Sequence, residues 1–300
     1  MLPSGIFNTK YQTDIAIVRT KTQWFLLIAG LVILFTVPPL LFSGVWLSWI
    51  VRSLSVTIIA VLGLHILTGL CGQISLGHAA FVMVGAYASG ILTSQLNWSP
   101  WATLPLAGVI AGLVGVIFGA PSLRIKGFYL AMSTLAAQFI IIWLVKNFHG
   151  LTGGVDGMGV AKIGSSVDRY YLAASLVVTL TFFAKNMQRT NLGRSLIAIR
   201  DNDLAAQVMG INLFRYKLIA FFIGCFYAGI AGWLWAHSLG NITPEDFPLM
   251  RSIWYLGMLV VGGVGSTTGA VLGAGSMELL DKLTLDYLSP WLAAAFPAIG

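Results

Sequence analysis

The side chains of this chain that are best suited to nucleophilic or metal chemistry are few and scattered. Its four histidines include no pair spaced i, i+4, and Cys71 and Cys225 lie far apart in or beside apolar segments. No phosphate-binding loop, HExxH motif or GxSxG motif occurs. The sequence therefore predicts no catalytic site, metal site, cofactor or disulfide. The nucleophile and base that a membrane-embedded enzyme would need cannot be assembled from any spacing in this sequence.

The composition is that of a membrane protein with many spans. Apolar residues make up 57% of the 300 residues and charged residues only 9%, and the mean hydropathy is +0.87. Soluble domains carry about 25% charged residues. The formal charge of +7 comes from basic residues that gather at the ends of apolar segments, so it predicts membrane orientation and not a nucleic-acid partner.

A few polar side chains interrupt these apolar segments. The run GQISLGHAAF contains Gln73, Ser75 and His78 together with Gly77. Polar groups at membrane depth persist only where protein or a water-filled cavity satisfies them, so these four residues could line a translocation path. Close helix packing explains them equally well, and His78 fits a hydrogen-bonded structural role better than a ligand role.

A second Gly-rich run, GGVGSTTGAVLGAG, occurs near the other end of the chain. Paired Gly-interrupted segments in two halves of a transporter can mark a site between internal repeats, which adds Gly265 and Ser266 to the candidate path. In contrast, Glu278, Asp281 and Arg52 are expected toward the ends of spans. The segments lack the chain of acidic or histidine residues that proton coupling requires.

Nine apolar segments are candidates for the roughly 20-residue membrane span. They predict an all-α, polytopic helical bundle with about 8–10 spans, some of them Gly-interrupted or re-entrant. The segments are 24–42, 46–68, 74–95, 102–121, 128–146, 170–186, 216–238, 252–264 and 266–284. The last two form either two spans or one re-entrant hairpin.

The basic residues predict the orientation of the bundle. Residues 1–23 form a polar segment that is expected to stay in the cytoplasm ahead of a retained signal-anchor, and residues 24–300 form one transmembrane domain. Eleven of the 17 basic residues then fall on the cytoplasmic side. The two longer outward loops, 147–169 and 239–251, are either flexible connections or docking surfaces.

The cytoplasmic loop 187–215 contains a predicted helix of about two turns. Asp201 or Asn202 can cap its start, Asp203 suits the positive end of its dipole, and Gly210 suits a left-handed C-terminal position. Leu204, Val208 and Ile211 share an apolar stripe, and the small side chains of Ala205 and Ala206 permit close approach. So short a helix needs packing, either in a groove of a partner protein or on the membrane surface.

The run DLAAQVMG within this loop resembles the A-A-x-x-x-G loop of permeases from ATP-binding-cassette (ABC) importers. Further segments resemble the LivM-type permeases of branched-chain amino acid importers, so that the likeness covers roughly residues 50–275. These segments are 69–87, 127–136, 151–159, 193–232 and 262–274.

The resemblance implies a permease subunit of the bacterial inner membrane. Its partners would be a second related permease, two cytoplasmic ATPase subunits and a periplasmic solute-binding protein. The residues that would couple to an ATPase are Arg200, Asp201, Asp203, Leu204, Ala205, Ala206, Val208 and Gly210. One alternative is an ABC permease for urea, short amides or monosaccharides, which related permeases import. The alternative from another functional class is a channel or ion-coupled carrier that works without ATP.

Overall fold

A computed structural model describes residues 21–42, 44–122 and 129–288. Residues 1–20, and Arg124 and Lys126, which are among the eleven basic residues expected on the cytoplasmic side, lie outside the described residues. The helices in chain order are α1 (Lys21–Leu41), α2 (Gly44–Leu70), α3 (His78–Ser94), α4 (Pro100–Ser122), α5 (Tyr129–Asn147), α6 (His149–Thr152), α7 (Ser166–Met187), α8 (Asn191–Asp201), α9 (Asp203–Val208), α10 (Leu213–Leu239), α11 (Leu249–Gly262) and α12 (Thr267–Leu283). The predicted all-α helical bundle is confirmed.

Within the described residues, six helices are long and apolar enough to cross a membrane: α1, α2, α4, α5, α7 and α10. The other three predicted segments correspond to α3, α11 and α12, which have 17, 14 and 17 residues. At 1.5 Å per residue, α11 is about 21 Å long and is too short to cross about 30 Å of hydrocarbon alone. α11 and α12 form a closely packed hairpin, in which the Met258 carbonyl oxygen lies 2.4 Å from where a Cβ on Gly273 would be.

Two helices form the centre of the bundle. In the most apolar 18-residue stretch of α2, 78% of the residues are buried, and in that of α10 72% are buried. In the corresponding stretch of α1 no residue is buried. α10 packs against α2, α3 and α4. A Cβ added to Gly85 of α3 would lie 2.3 Å from the Gly229 carbonyl oxygen of α10, so only glycine permits this helix crossing.

The long helix α2 is not α-helical throughout. Ile50–Ser55 and His65–Leu70 are wound as π-helix, on either side of the α-helical and fully buried segment Val56–Leu64. Such wide turns are rare and often lie at functional sites. The second of them ends at the GQISLGHAAF run.

The two longer loops predicted to face outward are joined by backbone hydrogen bonds. Strand β1 (Met158–Gly159) pairs antiparallel with β2 (Asn241–Ile242), with Met158 opposite Ile242. Both loops therefore lie at the same end of the bundle, as the alternating topology requires. The loop after β2 continues to Phe247, which is fully buried.

Candidate functional site

The predicted cytoplasmic helix is present as α9, with six residues. The Asn202 side-chain oxygen accepts a hydrogen bond from the Ala205 backbone N–H at 3.0 Å, so Asn202 and not Asp201 is the N-terminal cap. Gly210 follows the helix at φ +81°, the left-handed conformation expected for it. The local signals of this sequence thus define both ends of the helix.

The apolar residues of α9 and of the turn that follows it face two different surroundings. Leu204 and Val208 are 59% and 87% exposed, whereas Ile211 is only partly buried and packs against the core. Ala206 is 3% exposed and belongs to the core of this chain, so the surface it approaches closely is its own. Of the two alanines, only Ala205 is available to another protein.

Charged side chains tie α8 and α9 to the membrane-spanning helices. Arg200, at the end of α8, donates a hydrogen bond to the Gly69 carbonyl in α2 at 2.7 Å and pairs with Asp201 at 2.9 Å. Asp203 lies 3.9 Å from the Lys217 ammonium in α10. These contacts connect α8 to the end of α2 and α9 to the start of α10.

A polar cluster extends this connection to the turn between α11 and α12. The His65 ring is 3.0 Å from the Val264 carbonyl through one nitrogen and 3.0 Å from the Gln188 amide nitrogen through the other. Gln188 also donates to the Thr267 hydroxyl at 2.9 Å. The end of α7, the second π-helical segment of α2 and the α11–α12 turn are thereby linked.

The two Gly-rich runs meet in this same region. A Cβ on Gly69 would lie 2.2 Å from the Val264 carbonyl oxygen. Gly265 and Ser266 are exposed, and a Cβ on Gly265 would lie 4.0 Å from the Arg200 guanidinium. The Ser266 hydroxyl caps α12 by accepting from the Gly269 N–H at 2.8 Å. Their role in a path stays a prediction, but they lie next to the loop 187–215.

The polar residues of GQISLGHAAF lie deeper. Gln73, Ser75 and His78 are all at most 5% exposed, and their side-chain polar atoms have no hydrogen-bond partner within the described residues. The Ala60 carbonyl approaches the His78 ring, but outside ordinary hydrogen-bond limits. Buried polar groups of this kind usually bind water or a ligand, so the path interpretation of these residues stays open.

Gly77 has a packing reason for being glycine, because a Cβ there would lie 1.9 Å from the Thr134 carbonyl oxygen. It precedes α3 and has no side chain to cap that helix. Residues of other helices cap it instead: the Ser252 hydroxyl accepts from the Ala79 N–H at 2.9 Å, and the Gln138 side-chain oxygen accepts from the Ala80 N–H at 2.9 Å.

Gln138 and Ser252 were missed by the sequence argument. Gln138 also donates to the Phe247 carbonyl at 2.9 Å and accepts from Ser252, so one buried amide joins α3, α5, α11 and the loop before α11. A lone glutamine inside the apolar segment 128–146 was the available signal, since polar side chains at membrane depth need partners.

Glu278 lies five residues before the end of α12, in the C-terminal half of that helix as expected, but it is buried. It is 9% exposed within α12 and accepts hydrogen bonds from the Ser53 and Thr57 hydroxyls of α2 at 2.7 and 2.6 Å. A buried carboxylate between membrane helices is costly and is usually kept for function. A single carboxylate bonded to two hydroxyls is not the chain of acidic or histidine residues that proton coupling requires.

Comparison with known proteins gives the family. The family described as branched-chain amino acid transport system / permease component matches residues 46–299. The high-affinity branched-chain amino acid transport system permease proteins LivM of Salmonella typhimurium and Escherichia coli K12 are each 33% identical to this chain over 261 residues. These alignments cover 77% of the chain and 61% of each LivM protein, so the chain spans about three fifths of their length.

The related permease LivH of Escherichia coli K12 is 24% identical over 274 residues, covering 83% of this chain and 86% of LivH. No solved structure matches. The family match extends beyond the motifs quoted from the sequence, toward the C-terminus, and confirms the LivM-type resemblance. This chain belongs to the family of branched-chain amino acid transport system permease components.

Proposed function

We propose that this chain is the membrane-spanning subunit of an ABC importer and translocates branched-chain amino acids. The observation that carries the proposal is the exposed apolar surface of α9, directly connected to the ends of α2 and α10. Its partners would be a second, LivH-like permease, two cytoplasmic ATPase subunits and a periplasmic solute-binding protein. The complex would lie in the bacterial inner membrane with residues 1–23 in the cytoplasm.

The exposed side chains of α9 suit an ATPase groove. Leu204 and Val208 are exposed on a helix within the loop 187–215, whose basic residues favour a cytoplasmic location. Burying one such aliphatic side chain against a partner contributes about 1.5–3 kcal/mol. Two of them, with Ala205 allowing close approach, give a compact docking surface of the helix-in-groove type.

Force applied to α9 has a short route into the bundle. Arg200 connects the loop to Gly69, and the cluster of His65, Gln188 and Thr267 connects α2 to α7 and α12. We infer that closure of the ATPase subunits displaces α8 and α9 and thereby shifts the inner end of α2 relative to α12. This movement would expose the path alternately to the two sides of the membrane.

Substitution of Val208 by glutamate tests this coupling. A charge at the centre of an apolar groove must be desolvated, so Val208→Glu should abolish ATPase activity stimulated by the loaded binding protein in the reconstituted complex. Gln207→Glu is the matched control, because Gln207 is exposed on the same helix and adds the same charge. Both variants should assemble with the second permease, since neither side chain is buried in this chain.

Equal stimulated ATPase activity in Val208→Glu and the control would overturn the coupling role of α9. Uptake of leucine by the purified permease pair alone, with no ATPase subunit and no ATP, would instead indicate the ATP-independent channel or carrier.

A further inference from the structure

A cavity of about 190 Å³ lies between α2, α11 and α12, away from the GQISLGHAAF run. Its lining combines three charged groups, Arg251, Glu278 and Asp281, with the apolar side chains of Trp254, Met258 and Met277. Of the lining residues, Ser53 lies in the first half of α2, and Arg251 lies near the start of α11. In the proposed orientation the cavity therefore lies toward the periplasmic side, where solute would arrive.

The charges around the cavity are not neutralised by one another. Glu278 is held by the Ser53 and Thr57 hydroxyls, and within the described residues it forms no ion pair at 4.0 Å or less. The Arg251 guanidinium lies over the Trp235 ring at 4.9 Å and likewise has no carboxylate partner in the described part of the chain. Separated, unpaired charges beside a membrane cavity require a ligand or water to compensate them.

Tyr255 adds a further unsatisfied group to the same lining. The side chain is 2% exposed, and its hydroxyl forms no hydrogen bond within ordinary geometric limits, although Arg251 is its polar neighbour. Buried tyrosine hydroxyls normally have a partner. The cavity thus offers a free hydroxyl and a guanidinium together, an arrangement suited to a carboxylate oxygen.

We propose that this cavity binds the zwitterion of an aliphatic amino acid during translocation, an inference that rests on the proposed function. Arg251 and Tyr255 take the α-carboxylate, Glu278 takes the α-ammonium group, and Met258 and Met277 contact the side chain. Guanidinium–carboxylate pairs are among the stronger charge-assisted hydrogen bonds. The volume is adequate, since a cavity of about 150 Å³ holds benzene.

Flexible thioether side chains suit a path that must accept several aliphatic shapes, because methionine adapts to irregular surfaces. The permease would then check for the two charges common to all amino acids and leave the side chain loosely defined. A solute without charges at both positions would leave Glu278 or Arg251 without a compensating charge. That cost discriminates against neutral amides and sugars.

Chemical protection of a cysteine in the lining tests the proposal independently of transport. The assembled complex carrying Met277→Cys is reconstituted in phosphatidylcholine vesicles and labelled with a small thiol reagent; Cys71 and Cys225 are buried and contribute little background. Leucine should slow labelling, whereas 4-methylpentanoate, which lacks the amine, and isoamylamine, which lacks the carboxylate, should not.

Arg251→Gln, combined with Met277→Cys, should raise the leucine concentration for half-protection by about tenfold to hundredfold, because it removes a charge-assisted contact. Arg52→Gln is the matched control, since Arg52 is exposed next to Ser53 but does not line the cavity. Equal half-protection in the two variants, or equal protection by leucine and 4-methylpentanoate, would overturn the site.

A zwitterionic lipid headgroup shares the ammonium and anion chemistry of an amino acid. Labelling that slows only when phosphatidylethanolamine is added to the vesicles, and not with leucine, would overturn the proposal in favour of a lipid. ATPase stimulation by the loaded binding protein is measured on the same samples. If the ATPase is stimulated but leucine does not protect the cysteine, the proposed binding site is wrong and the importer function stands. If leucine protects the cysteine but the ATPase is never stimulated, the importer function is wrong and the binding site stands.

Discussion

Loss of the Gln138 side-chain amide should lower the stability of the folded bundle. It satisfies the Ala80 N–H at the start of α3 and the Phe247 carbonyl at once, and it is fully buried. Leaving such groups unpaired costs about 1–3 kcal/mol each. Gln138→Leu should therefore lower the thermal midpoint of the purified permease by several degrees.

The control for that substitution is Gln207→Leu, at an exposed glutamine that adds the same aliphatic group without breaking a buried network. The comparison uses thermal unfolding in a single detergent. Unchanged midpoints in both variants would mean that water or a rearranged backbone replaces the Gln138 contacts.

Gly210 gives a prediction about backbone conformation alone. Its φ is +81°, and no atom lies within 4 Å of where a Cβ would be, so a substitution there meets strain but no collision. Asparagine tolerates the left-handed region far better than valine. Gly210→Val should reduce co-purification of the ATPase subunits, and Gly210→Asn should preserve it. Equal recovery with both variants would show that this conformation is unimportant for docking.

The sequence identified residues at the ends of helices more successfully than residues between them. Asn202 and Gly210 act through neighbours only a few positions away, so their local pattern is sufficient. Gln138, Ser252 and Glu278 bond to residues 58 or more positions away in the sequence. Nothing local distinguishes a polar residue with such a distant partner from one that faces a cavity.

At the scale of elements, the crossing of α3 and α10 depends on contact between their backbones. Gly85→Ala would place a Cβ 2.3 Å from the Gly229 carbonyl oxygen, so the two helices must separate and lose the packing around them. Less folded permease should be recovered, and it should unfold at a lower temperature.

Gly257→Ala is the matched control for that crossing. Gly257 also lies inside a helix, α11, but nothing lies within 4 Å of the added Cβ. Alanine favours helix over glycine by about 1 kcal/mol, so this variant should be as stable as the unchanged protein or slightly more stable. A similar loss in both variants would mean that glycine flexibility matters more than the close approach.

Hydropathy located the six long spans within a few residues because a 20-residue apolar run is a strong local signal. It could not foresee that the segment 74–95 begins as irregular backbone and becomes helical only at His78. That boundary is set by side chains from α5 and α11, which approach it only after the bundle has formed.

At the scale of the whole molecule, the orientation can be tested with two introduced cysteines. Asn241, in β2, is expected outside, and Gln207, in α9, inside; both are exposed. In intact cells an impermeant thiol reagent should label Asn241→Cys but should label Gln207→Cys only after permeabilisation. The reverse pattern would invert the bundle and remove α9 from reach of any cytoplasmic ATPase.

The positive-inside pattern supports this orientation, and the pairing of β1 with β2 places the two outward loops at one end. The packing of the helices could not be predicted from the sequence, because nearly every segment is apolar on all its faces. Which faces of α2 and α10 become buried depends on small residues that fit only against particular partners.

The π-helical turns of α2 have a mechanical consequence. Each such turn contains about one residue more than an α-helical turn, so conversion of one into the other rotates the adjoining part of the helix by about 100°. The buried segment Val56–Leu64 lies between two of these turns. Conversion at either end would therefore rotate that end of α2 relative to the buried middle segment, and the middle segment would not have to move.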